Sequence, residues 1–206
     1  ERKGKYLIGS LKSKERISKG FLVVHLRMTG QFNLLDKGIQ PCPHTRVRFF
    51  DGKGKELRFV DIRNFGQMWY VPSSKSIKEV VSGIKRLGPE PFSSSFNSCY
   101  LKEYLKKKTR SIKSALLDQA TVAGVGNIYA DESLFDAGIN PKTKSRDLKN
   151  SELERLCNSL VKILTISIGE GGTTFSDFRD LEGINGNYGG QSWVYRRSGK
   201  SCKKCG

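Results

Sequence analysis

Two cysteines close to the end of the chain, Cys202 and Cys205 in "SGKSCKKCG", stand two residues apart with a glycine after the second. This spacing lets one tight turn aim two thiolates at a single metal ion. A structural zinc takes four ligands, so the pair is half of a site. The other cysteines, Cys42, Cys99 and Cys157, are widely scattered. They are expected to be small buried hydrophobes, in a reducing compartment, rather than a disulfide framework. A second segment with chemical potential is "DQATVAGVGNIYADESLFDAG" (118–138). Gly124 and Gly126 let a backbone come close to something. Asn127 stands where a helix would start, and the free N–H groups and dipole of a helix start favour an anion. An ordinary helical hairpin with packing glycines fits the same spacing equally well. "KKKTR" (106–110) and Lys113 precede it, either as a solvated face or as charges that neutralise phosphates.

The first part of the chain offers "HLRMTG" and "DIRNFG". Met28, Arg63 and Phe65 in these stretches read as core edges on the bare pattern. They read equally well chemically as an arginine and apolar wedges entering a stacked duplex. His25 and His44 are the only histidines and have no metal-ligand spacing. Lys5, in "RKGKYL", is one lysine among many. No nucleophile–base pairing stands out, and no Walker-type phosphate loop is present.

These residues sit on a chain of 206 residues with 37 Lys and Arg against 20 Asp and Glu, a formal net charge of +17. An excess of that size makes a polyanion, and nucleic acid first of all, the expected partner. The length allows one large domain or two small ones. No signal peptide or membrane-length apolar run is visible. The chain opens at Glu1, without an initiator Met, and reads as clipped.

The elements that must position the candidates fall into two halves. "KYLIGSLK", "GFLVVHLRMTGQFNLL", "TRVRFF", "KELRFVDIR" and "GQMWYVP" are strand-like runs, with "DGKG" (51–54) as a hairpin signal. Antiparallel sheets follow, as a sandwich or barrel. "LGPEPF" (87–92) is a break, after which the pattern turns helical: 98–104, then 111–119 and 125–138 around "ATVAG". An amphipathic helix over 150–172 carries Leu153, Leu156, Cys157, Leu160 and Leu164 on one face. Ser151 and Glu154 are its expected capping box. The glycine-rich stretch 173–190 is too long for an ordinary connection. "SWVYRR" (192–197) is expected to be a short strand leading into the cysteine turn.

Taken in order, "RKGKYL", "HLRMTG", "DIRNFG", "LGPEPF", "DQATVAGVGNIYADESLFDAGI", "GGTTFSDF" and "VYRRSGKSCKKCG" closely resemble the bacterial formamidopyrimidine-DNA glycosylase family, which includes endonuclease VIII. The resemblance covers nearly the whole chain. It implies an α+β fold: an N-terminal antiparallel β-sandwich, a helix–two-turn–helix domain, and a C-terminal zinc finger that is only partly present. The implied divisions are 1–86 for the sandwich, 87–190 for the helical domain with a lesion-capping loop at about 173–190, and 191–206 for the first half of the finger. The family excises oxidised purines such as 8-oxoguanine and formamidopyrimidines from double-stranded DNA after base flipping. An N-terminal proline amine forms a Schiff base with the sugar, and β,δ-elimination then cuts the strand.

By the same resemblance, Lys5 matches the catalytic lysine, a proton donor. Met28, Arg63 and Phe65 match the trio that fills the vacated duplex. His25, His44, Arg63, Lys108 and Asn127 match DNA contacts. Thr173, Thr174, Phe175, Ser176, Asp177 and Phe178 match the start of the capping loop. Cys202 and Cys205 match the first two of four zinc cysteines, for one structural zinc ion. The family's leading Pro-Glu and its second Cys-x-x-Cys do not occur here, so the chain reads as truncated at both ends and is expected to be inactive as it stands. Asn64 stands where many relatives have Arg or Lys, and Thr29 lies at a variable position. The resemblance also implies a monomer in the bacterial cytoplasm, associated with the nucleoid and not with a membrane. Two other readings remain: an endonuclease VIII-like enzyme for oxidised pyrimidines, and a non-catalytic zinc-ribbon module that binds nucleic acid.

Overall fold

The strand-like runs of the first half pair as antiparallel ladders. The computed structural model describes residues 1–13, 18–175 and 179–206. It divides into two compact units, Glu1–Val81 with Gly169–Gly190, and Ser82–Ile168 with Gln191–Gly206. In the first unit, β1 (Arg2–Lys3), β2 (Tyr6–Lys12), β3 (Ser18–His25) and β7 (Gln67–Val71) form one sheet in the order β1-β2-β3-β7. The second sheet has the order β4-β6-β5, from β4 (Gln31–Asp36), β5 (Thr45–Phe50) and β6 (Lys55–Val60). Together they make the β-sandwich. Ile8, Val23, Phe59, Val60 and Val71 are buried in it.

The apolar run 20–35 is not one strand. The chain turns at 26–30, where Gly30 N–H donates to Leu26 O at 3.1 Å and Arg27 takes a left-handed φ of 57°. The run therefore supplies β3 to one sheet and β4 to the other. Unbroken hydrophobicity hid the turn because both flanking strands are apolar.

β6 has a neighbour on each side, so it is buried along most of its length, including Glu56 and Arg58. Arg48 Nε and Arg58 Nε donate to Glu56 Oε1 at 2.5 and 2.6 Å. Hydrogen bonds first from Arg48 and then from Arg58 hold the Glu56 carboxyl down at about 2. Arg58 also caps the carbonyls of Ile39 and Gln40, which ties the loop before β5 to the sheet.

The second unit is helical. The short α1 (Ile77–Val80) closes the first unit's leading segment; the second unit has the short α2 (Ser82–Lys85) and then its main helices α3 (Ser98–Leu105), α4 (Ile112–Leu117), α5 (Asn127–Asp136) and α6 (Asn150–Gly169). The side chain of Asn97 accepts the Tyr100 N–H at 2.9 Å and starts α3; Ser111 caps α4 in the same way. Leu153, Leu156, Cys157 and Leu160 of α6 are buried and pack with Leu101, Leu116 and Leu134 in the core, whereas the expected Leu164 is only half-buried and Ile163 is the buried residue beside it. Removing one such leucine side chain costs about 2–5 kcal/mol.

Three local expectations are corrected. The α6 cap is not Ser151 with Glu154: the helix begins at Asn150, and Glu152 reaches back to the Lys149 N–H at 2.8 Å. Residues 192–197 are turns and bends, not a strand. Cys157 is buried, but Cys42 and Cys99 are exposed. Cys42 lies in the loop before β5 and Cys99 on the outer side of α3, so neither has an element packed over it.

Candidate nucleic-acid interface

Strand register puts most of the first unit's candidates at one end of the sandwich. Tyr6, His25 and Gln67 lie in one cross-strand row, at the start of β2, the end of β3 and the start of β7. In the other sheet Gln31, Val60 and Thr45 form the corresponding terminal row. The turn bearing Lys5, the loop 26–30, the residue His44 before β5 and the loop 61–66 therefore all emerge at that end. Among the sequence candidates this unites Lys5, His25, Met28, His44, Arg63 and Phe65.

Lys5 sits in the two-residue turn between β1 and β2, after Gly4, whose φ is 57°. A positive φ at the first turn position matches the right-handed twist of a hairpin and favours glycine. The residue as a whole is exposed, but its ammonium end is surrounded by enough protein for desolvation to lower its pKa below the ordinary 10.5. His25 packs edge-on against Tyr6, with ring centroids 4.7 Å apart. Burial, and then the charges of Arg27 and Lys5, push its pKa down to about 4. Its Nδ1 accepts the Arg27 N–H at 3.1 Å. The neutral ring thus carries its proton on Nε2, which makes it an uncharged donor.

The two loops are built around one carboxylate. Asp61 is 1 % exposed. Its Oδ1 accepts the Thr29 hydroxyl at 2.5 Å and its Oδ2 accepts the Gly66 N–H at 2.7 Å. The Arg63 N–H donates to the Thr29 hydroxyl at 3.2 Å. Burial alone would raise the Asp61 pKa, but the Thr29 hydroxyl and the amides of Gly66, Arg63 and Asn64 outweigh it and the net shift is downward. Asn64 has a φ of 57°, a region that Asn tolerates better than most residues, which suits it to this tight loop. The product of this bracing is a tip where Met28 and Phe65 are 66 % and 57 % exposed. Arg63 Nη1 lies 3.5 Å from Met28 Sδ. Neither Asp61 nor Thr29 stood out in the sequence. The aspartate at the head of "DIRNFG" was the available signal.

Residues 169–190 form an excursion clasped at its base. Tyr188 N–H donates to Gly172 O at 3.1 Å, Asn187 N–H to Glu170 O at 2.9 Å, and Thr173 bridges Asn187. Thr174 Oγ1 accepts the Gly186 N–H at 2.9 Å, and the Phe175 ring lies against Gly189. Further out, Asp180 Oδ1 accepts the N–H groups of Glu182 and Ile184. Ser176, Asp177 and Phe178 lie outside the described residues.

In the second unit the turn 118–126 is held from several sides. The Gln119 side chain donates to Val125 O and accepts the Gly124 N–H, each at 2.9 Å. Gly88 N–H donates to Gln119 O, and Tyr100 Oη to Thr121 O. Gly124 has a φ of 86° and so requires glycine, whereas Gly126 is extended. Among the described residues no side chain caps α5, and Asn127 in its first turn is exposed. The basic run is mostly spoken for: Lys106 pairs with Glu103, Arg110 with Asp118 and Lys113 with Asp131. Lys108 lies over the Tyr104 ring, 5.2 Å from its centroid, and close enough to Asp118 to stabilise its charge.

Glu132, on α5, is fully buried, and its carboxylate accepts the N–H groups of Trp193, Val194 and Tyr195 at 2.7–2.9 Å. Three successive amides converging on one carboxylate curl the chain, which is why 192–197 is not a strand. Beyond the curl, Cys202 Sγ accepts the Lys204 N–H at 3.4 Å and Cys202 O accepts the Gly206 N–H at 3.0 Å. The backbone amides of Lys204 and then Cys205 draw the Cys202 thiol down, while Cys202 pushes the Cys205 thiol up. An amide-donating turn with two thiols fits one corner of a zinc tetrahedron. Among the described residues no group of three or more His, Cys, Asp or Glu side chains is placed to hold a metal.

Comparison with known proteins accounts for both units. The family profile described as the formamidopyrimidine-DNA glycosylase N-terminal domain matches residues 1–68, and that of the formamidopyrimidine-DNA glycosylase H2TH domain matches residues 87–179. A formamidopyrimidine-DNA glycosylase of Prochlorococcus marinus (strain NATL2A) is 83% identical over 100% of this chain and 73% of its own length. Another, of Parasynechococcus marenigrum (strain WH8102), is 60% identical over 100% of this chain and 72% of its own. Among solved structures, the MutM (Fpg) protein of Thermus thermophilus superposes with a TM-score of 0.88 at 37% identity, covering 100% of this chain and 73% of that one. The Lactococcus lactis Fpg bound to DNA containing an abasic site gives 0.88 at 31%, with the same coverages. With an N-terminal domain and an H2TH domain of one family in one chain, and identities this high over its whole length, the chain belongs to the formamidopyrimidine-DNA glycosylase family.

Proposed function

We propose that this chain serves base-excision repair as the greater part of a bifunctional DNA glycosylase/AP lyase for oxidised purines. The observation that carries the reading is the gathering of Lys5, His25, Met28, His44, Arg63 and Phe65 at one end of the sandwich. That end offers what base flipping needs: apolar side chains and a guanidinium to occupy the vacated stack, and donors for the backbone.

In this reading Met28, Arg63 and Phe65 enter the duplex. His25 donates from Nε2 to a phosphate as a neutral group, with His44, Lys108 and Asn127 as further backbone contacts. The open first turn of α5 adds N–H groups for a phosphate oxygen. The desolvated Lys5 ammonium, with its lowered pKa, gives up a proton more readily than a surface lysine and serves as proton donor. The attacking amine is that of the family's N-terminal proline, which displaces the base at C1′. The resulting iminium acidifies the 2′ protons and permits β,δ-elimination. The catalytic sandwich lies within residues 1–86 and the helix–two-turn–helix within 87–168; Thr173, Thr174 and Phe175 start a loop that covers the flipped base and that falls, with residues 169–190, in the sandwich's compact unit. The family carries a structural zinc; Cys202 and Cys205, in 191–206, would supply two of its ligands and let the ion cross-link the finger.

The glycine-rich length of 173–190 favours the purine enzyme over its endonuclease VIII-like sibling. The test is excision by the protein extended to its relatives' length, on duplexes carrying 8-oxoguanine opposite cytosine or thymine glycol opposite adenine. Faster release of 8-oxoguanine is expected. A preference for thymine glycol would move the assignment to the pyrimidine branch.

A further inference from the structure

The wedge residues are borne on two loops that are far apart in sequence, each of which crosses from one sheet to the other. Their relative position needs a cause. Asp61, at the head of loop 61–66, has a carboxylate that bonds both loops: it takes the hydroxyl of Thr29 from loop 26–30 and the amide of Gly66 from its own loop. The Thr29 hydroxyl in turn receives the Arg63 amide. The Asp61 backbone ties in a third segment, since its N–H donates to His44 O at 3.0 Å and its carbonyl accepts from Arg46 Nε at 2.9 Å. The carboxylate is buried and is satisfied by a hydroxyl and by amides, not by the neighbouring Arg63 guanidinium, which is exposed. An ordinary buried aspartate beside an arginine would pair with it and withdraw it from the surface.

We propose that Asp61, acting through Thr29, is a positioning residue that preassembles Met28, Arg63 and Phe65 into one rigid wedge and sets His44 beside it. This rests on the reading of those three residues as the duplex-invading trio. Preassembly means that the ordering cost of the two loops is met during folding and not at the moment a base is extruded.

The test uses Thr29→Val, Thr29→Ser and Asp61→Asn in the protein extended to its relatives' length. Each is assayed in single turnover on two 8-oxoguanine substrates, one paired with cytosine and one with the opposite nucleotide missing. Unstacking is cheaper in the second, so less is asked of a wedge. Thr29→Val is expected to slow excision from the paired duplex about ten- to hundredfold, the scale on which small misplacements act. The deficit should shrink on the gapped duplex, and Thr29→Ser should restore the rate because it keeps the hydroxyl. Asp61→Asn should show the same substrate split. Equal losses on both substrates, or a Thr29→Val rate equal to that of the parent, would overturn the proposal. Met28→Ala and Arg63→Ala run alongside separate the two levels. If they leave the paired rate intact, the trio reading itself fails. If they lower it while Thr29→Val does not, only the positioning role of Asp61 fails.

Discussion

Glu132→Ala is expected to destabilise the helical unit by about 3 kcal/mol, the loss expected when a buried charged acceptor of several hydrogen bonds is removed. The side chain is fully buried, and three consecutive amides lose their acceptor at once. Those amides are only partly shielded, so water recovers some of the loss and keeps it below the sum of three charge-assisted bonds. The effect should be concentrated in the segment that the carboxylate holds. Trp193, which stacks near Phe135 at 6.1 Å, would lose its anchor, and with it the approach to Cys202 and Cys205. Glu132→Gln should fall between, because one amide would meet the new NH2 group donor to donor. Denaturant unfolding gives the stability, and hydrogen exchange at 193–195 gives its location. Unchanged exchange at those amides in Glu132→Ala would show that the curl does not depend on the carboxylate.

The other large effect is expected from a single methyl group. In Gly66→Ala the new Cβ would lie 2.4 Å from Phe59 Cζ and 3.0 Å from Asp61 Oδ2. Phe59 cannot swing away freely. A Cβ on Gly30 would stand 2.8 Å from the same Cζ, and Phe32 packs against the ring with centroids 5.3 Å apart. Loop 61–66 must therefore lift off Asp61, at a cost of about 1–3 kcal/mol for overpacking. It would carry Arg63 and Phe65 out of place, so lesion excision should fall further than stability alone explains. Phe59→Leu in the same chain makes room and should return part of the activity, which a nonspecific folding defect would not permit. If Gly66→Ala keeps parental stability and excision, the ring does not set the loop.

Much of this architecture was legible before the structure. The α+β class followed from the change of period near residue 87, since half-buried strands and an amphipathic helix leave different apolar spacings. The leucines of α6 announced their face directly. The wedge candidates were legible only as a pattern in two short stretches, because exposure of Met28 and Phe65 depends on what the chain does around them. Asp61, Thr29 and Glu132 were not legible as supports. A buried carboxylate looks like a surface one in sequence, and its partners lie 32 residues away for Asp61 and up to 63 for Glu132. The same long-range contact turned an apolar, arginine-rich stretch at 192–197 into a curl where local propensity favoured a strand. The fate of the basic run was hidden for a related reason. Which basic side chains remain for a phosphate depends on where Asp118 and Asp131 come to lie, since they take Arg110 and Lys113.

A DNA glycosylase that works through a covalent imine passes through an intermediate that can be trapped. Borohydride reduction during reaction with an 8-oxoguanine duplex captures that imine as a stable protein–DNA adduct. The protein extended to its relatives' length, with a leading Pro-Glu and a second Cys-x-x-Cys, should give the adduct in proportion to the lesion present. It should lose the adduct when the proline is changed. An extended protein that binds the damaged duplex but yields no adduct would contradict the account and leave a nucleic-acid-binding module in its place.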